Sequence, residues 1–90
     1  IAAIYRAQGN IVNELKCNEQ SLAICRELGA RAGEARSCWN IGLTYEDMGD
    51  LAKAEEYITL AVEIAEAMGH PSLEEWRDGL KQVRAKRRGA

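Results

Sequence analysis

Apolar residues recur at helical spacing along the chain, in segments separated by glycines. Between residues 33 and 48, at about 100° per residue, Cys38, Ile41, Gly42, Tyr45 and Met48 share one face, and Arg36, Trp39, Asn40, Leu43 and Asp47 lie roughly opposite. Between 51 and 68, Leu51, Ala54, Ile58, Ala61, Val62 and Ala65 form one sector, which Tyr57, Leu60, Ile64 and Met68 widen to about half the circumference. Residues 11–28 repeat the arrangement, with Ile11, Leu15, Leu22 and Cys25 in the first sector and Cys17, Ile24 and Leu28 in the second. So wide an apolar stripe requires two neighbouring helices to cover it.

The stops between these segments have a physical reason. Gly49-Asp50 ends one helix and begins another, because glycine tolerates a left-handed C-terminal position and aspartate caps the next N-terminus; Gly9-Asn10 offers the same pair earlier. Gly29 and Gly69 end two more helices, and His70-Pro71-Ser72 opens the last. The predicted helices are 1–8, 11–28, 33–48, 51–68 and 72–87. In the last of them Leu73, Trp76, Leu80 and Val83 make one apolar stripe, as a terminal helix with one watery face needs.

Sliding the chain by 40 residues superposes Ile1 on Ile41, Tyr5 on Tyr45, Gly9 on Gly49, Ile24 on Ile64 and Gly29 on Gly69 without a gap. Within the second copy stand Cys38-x2-Ile41-Gly42-x2-Tyr45 and Ala54-x3-Ile58, followed by Ala61. This pattern resembles the tetratricopeptide repeat, W-x2-L-G-x2-Y then A-x3-F, in which small residues let two helix backbones approach. The spacing of 40 rather than 34 is similar to the longer subclass of kinesin light chain, Pins-type adaptors and many bacterial regulatory proteins. The resemblance implies an all-α antiparallel helix-hairpin solenoid with a C-terminal capping helix. Its parts are a partial first repeat (1–29), a complete second repeat (30–69), and a capping helix with a basic tail (70–90). In the first repeat Glu14, Asn18 and Ser21 stand where the second has Ala54, Ile58 and Ala61. A carboxylate at a close-packing position needs a partner or water, so the first hairpin is expected to be loose, opened or completed by another chain.

Composition agrees with helix: 47% of residues are hydrophobic and 29% charged, with no Phe and one Pro. No apolar run approaches a membrane span and no leader is evident, so a cytoplasmic protein is expected, though the chain lacks an initiator Met and reads as a piece of something longer. Three cysteines without a C-x-x-C pair suggest buried, reduced thiols and no metal site. The only histidine, His70, lies in a turn and is expected to be an exposed loop side chain. The adjacent acidic pairs point apart on helices, and no phosphate-binding loop occurs; no enzyme and no cofactor are expected.

Residues 1–69 carry six basic and eleven acidic side chains, whereas 70–90 carry six basic and three acidic. The tail Lys81, Arg84, Lys86, Arg87 and Arg88 reads as a frayed, soluble helix end, with nucleic-acid contact a minor alternative. In the resembling family the first helix of each hairpin lines the concave side, which places Arg36, Trp39, Asn40, Leu43, Glu46 and Asp47 there. Trp39 and Leu43 then either anchor a partner or pack on the flanking helices 1–8 and 72–87. The expected function is a protein-interaction module that binds a peptide or partner helix, with self-assembly by helix exchange as the alternative.

Overall fold

The computed structural model describes residues 2–89 and the side-chain surroundings of 11–89. Four helices follow one another: α1 (Ala2–Leu28), α2 (Arg31–Asp47), α3 (Leu51–Met68) and α4 (Leu73–Gly89). No strand occurs among the described residues. Each helix packs on the next in the chain, so α2 is held between α1 and α3, and α4 lies on the far side of α3.

The stops repeat every twenty residues. Ala30 N–H donates to the Cys25 carbonyl at 2.8 Å, Asp50 N–H to Tyr45 at 2.9 Å and His70 N–H to Ala65 at 2.9 Å. In each the intervening glycine has positive φ: 71° at Gly29, 85° at Gly49 and 67° at Gly69. This six-to-one closure satisfies carbonyls that the ended helix leaves open. Asp50 also accepts the Lys53 N–H at 3.1 Å, capping α3.

The fourth member of that series, Gly9-Asn10, does not stop a helix, and the expected helices 1–8 and 11–28 are instead one continuous α1. The reason lies in what a fold-back would meet. Gly42 lies so close to α3 that a Cβ there would come within 2.5 Å of Ile58 Cγ1 and 3.2 Å of the Ala54 carbonyl. The corresponding positions of α1 are Glu14 and Asn18, which offer residues 1–8 no apolar seat. An interior glycine penalises a helix by only about 1 kcal/mol, and continued backbone hydrogen bonding outweighs it.

The core lies where α2, α3 and α4 meet. Cys38, Ile41, Ala54, Ile58, Ala61, Ala65 and Val83 are fully buried, joined by Trp76, Leu80 and Ile64. Burial pushes the Cys38 thiol up, but Cys25 is half-buried and Cys17 exposed, so the expectation of three buried thiols holds for one. Ile24 and Leu28 are exposed at 53% and 77% although Ile64, the counterpart of Ile24, is buried.

The basic tail is not frayed. It continues α4 to Gly89 and clamps it onto the body: Arg87 and Arg84 both hold Glu55 of α3, at 2.9 and 3.4 Å, and Lys86 pairs with Glu46 of α2. The hydrogen bond from Arg87, helped by Arg84, holds the Glu55 carboxyl below its ordinary value. A depressed carboxylate stabilises the fold above the ordinary carboxylate range and ceases to do so as pH falls through its folded value. Glu55→Gln should therefore speed amide exchange along residues 84–89 at neutral pH, and acid should erase the difference from wild type. Because the pair is exposed, added salt should narrow it as well.

Candidate functional site

The six residues expected on the concave face divide into two stripes along α2. Trp39 and Glu46 face α4. Trp39 stacks on Trp76, with ring centroids 5.4 Å apart and planes at 14°, and packs against the core. It sits directly over Gly79, where a Cβ would come within 2.4 Å of its ring. Glu46 takes Lys86. Of the two readings open for Trp39, packing on the flanking helix is the one seen in the structure. The side chains of 1–8, the other expected neighbour, lie outside the described residues.

His70 completes this network. It is half-buried, stacks on Trp76 at 4.7 Å, and its Nδ1 accepts the Ser72 N–H at 3.0 Å, which starts α4. The expectation of an exposed loop histidine is corrected. The chain reverses so tightly between Gly69 and α4 that the imidazole is folded back over the helix it caps.

Arg36, Asn40, Leu43 and Asp47 form the other stripe, at i, i+4, i+7 and i+11, away from α4. Asn40, Leu43 and Asp47, with Thr44, form one wall of an open groove of about 400 Å³, and Glu14 and Asn18 of α1 form the other. The Thr44 hydroxyl donates to the Asn40 carbonyl at 2.9 Å and is thereby satisfied within its own helix. The two asparagines and two carboxylates thus line the same groove. Beside it, sharing Asp47, is a hollow of about 310 Å³ lined by Ile11, Val12 and Met48, with Val12 and Met48 exposed at 46% and 48%. Arg36 is exposed one turn before Asn40. Glu14, Asn18, Ile11, Val12 and Met48 were not among the residues expected to bind. The signal for the first two was present in the sequence, as polar residues at positions that the second copy fills with Ala54 and Ile58.

Among the described residues, no group of three His, Cys, Asp or Glu side chains is arranged to hold a metal, and no helix is long and apolar enough to cross a membrane.

Helix pairs stacked at a 40-residue translation, with small residues at the crossing, match the tetratricopeptide repeat model over residues 1–67. The chain belongs to the tetratricopeptide repeat family. Among solved structures, the apo form of RapI is similar, with a TM-score of 0.84 and 29% identity over 92% of this chain. The matched region is 30% of the RapI chain, so this chain spans less than a third of that protein. No curated protein matches the chain.

Proposed function

We propose that the chain is a non-enzymatic protein-interaction module whose groove between α1 and α2 takes a segment of a partner protein. The observation that carries this reading is the asymmetry of α2. One flank is closed by α4 through Trp39, Trp76 and the Glu46–Lys86 pair, while the other leaves Asn40, Leu43 and Asp47 open beside Glu14 and Asn18. Carboxamides both donate and accept, so Asn18 and Asn40 suit the main chain of a bound peptide. Leu43, with the Ile11–Val12–Met48 hollow, suits an apolar side chain, and Glu14 with Asp47 selects a neighbouring lysine or arginine. Arg36 guards the far end of the stripe. Trp39 and Glu46 contribute by holding α2 in place. The reading places the protein in the cytoplasm, where its exposed Cys17 thiol stays reduced.

Selection of a displayed random-peptide library on the chain tests this. The enriched peptides should carry a basic residue beside an apolar one. They should lose about tenfold or more in affinity to Asn40→Ala/Leu43→Ala by calorimetry, with helix content unchanged. Peptides that bind the double variant as tightly as wild type would place the site elsewhere.

A further inference from the structure

The C-terminal half of α4 gathers more positive charge than its carboxylate partner offsets. Arg84, Arg87 and Arg88 stand at i, i+3 and i+4 on one helix face, and with Glu55 of α3 they line an open hollow of about 390 Å³. Three guanidiniums and one carboxylate leave the hollow with two positive charges. Glu55 accepts one hydrogen bond from Arg84, through Nε, and one from Arg87, through a terminal nitrogen. Each fork keeps further N–H donors beyond the one that Glu55 takes. The carboxylate also holds two long side chains in place, so part of the cost of ordering them is met before a ligand arrives.

We infer that Arg84, Arg87 and Arg88 form a receptor for a phosphate monoester carried on a side chain of a partner polypeptide. Phosphoserine or phosphothreonine brings a charge of about −1.5 to −2 at neutral pH with its acceptor oxygens, and guanidinium forks match phosphate oxygens in pairs. Beside this hollow lies a second of about 410 Å³, which shares Glu55 and Arg87 and is walled by Ala52, Glu56, Thr59 and Leu60 of α3. That wall suits the chain flanking the phosphate, Ala52 and Leu60 for an apolar side chain and Glu56 for a basic one.

Nucleic acid fits less well. No described aromatic residue lines either hollow to stack a base, and successive phosphates would meet Glu55 and Glu56. The site shares no residue with the groove between α1 and α2, so it stands or falls apart from the segment proposed there.

Three probes test the site by titration of the isotope-labelled full chain at constant ionic strength: a blocked tripeptide with phosphoserine between two alanines, its unphosphorylated twin, and inorganic phosphate. The phosphotripeptide should move the Nε–H signals of Arg84, Arg87 and Arg88, inorganic phosphate should move them with weaker affinity, and the unphosphorylated twin should leave them still. Arg88→Gln, which keeps both bonds to Glu55, should weaken phosphotripeptide binding about tenfold or more. In Glu55→Gln the phosphotripeptide should slow amide exchange over 84–89, because its dianion takes the place of the lost carboxylate; arginines that serve only as a clamp would not give this effect. Equal shifts from the unphosphorylated twin, tighter binding of free phosphate than of the phosphotripeptide, full affinity in Arg88→Gln, or no slowing in Glu55→Gln would each overturn the inference. Tighter binding of oligothymidylate to the same arginines, at equal phosphate concentration, would overturn it in favour of nucleic acid.

Discussion

Trp39→Ala should lower the melting temperature by more than about 10 °C, because truncating a packed tryptophan removes about 3 kcal/mol and a domain of this size shifts by several degrees per kcal/mol. The indole lies between Trp76 and the bare backbone of Gly79, so its loss opens a cavity that backbone cannot collapse to fill. Trp76 then loses one of its two stacking partners, with only His70 remaining. The damage should be directional: α4 detaches first, seen as faster amide exchange over 73–89 than over 51–68. Unchanged stability with loss of peptide binding would return Trp39 to the partner surface.

Ile58→Asn should be at least as damaging. Ile58 is fully buried against Gly42, and asparagine there both removes apolar burial and leaves a carboxamide without a partner, together about 4 kcal/mol or more. That is comparable to the whole stability expected of 90 residues, about 5–13 kcal/mol. The substitution copies the first repeat, which has Asn18 at this position, so it also asks whether that residue is what keeps residues 1–8 from folding back. The expected result is a broad, weakly cooperative unfolding curve by circular dichroism. A sharp transition near the wild-type temperature would mean that the α2–α3 crossing is not the centre of the core.

The helix stops at 29, 49 and 69 were legible because their cause is local: a glycine, a left-handed turn and a carbonyl five residues upstream. Gly9-Asn10 carries the same local signal and is overruled by a tertiary one, the lack of an apolar seat at Glu14 and Asn18. The buried stripe of α4 was likewise readable from spacing alone, and Trp76, Leu80 and Val83 are all buried.

Which flank of α2 α4 would cover was not readable from α2. Trp39 and Leu43 are one turn apart on the same broad face, and only contact with Gly79 and Trp76 separates them. The tail charges misled for a related reason. Arg84 and Arg87 satisfy the rule for a solvated helix end, yet their three-residue spacing brings both to one carboxylate, Glu55, from a helix 29 or more residues away. His70 departs from the rule that turn side chains are exposed, because its ring folds back onto Trp76 and accepts the Ser72 N–H.

The most direct test of the two-sided α2 is a titration of the isotope-labelled chain with a selected basic peptide, followed by amide chemical shifts. The account predicts that the largest changes fall on Glu14, Asn18, Asn40, Leu43 and Asp47, with the Trp39 and Trp76 indole signals nearly still. Changes concentrated on α3 and α4, or movement of both indoles ahead of the groove, would contradict it.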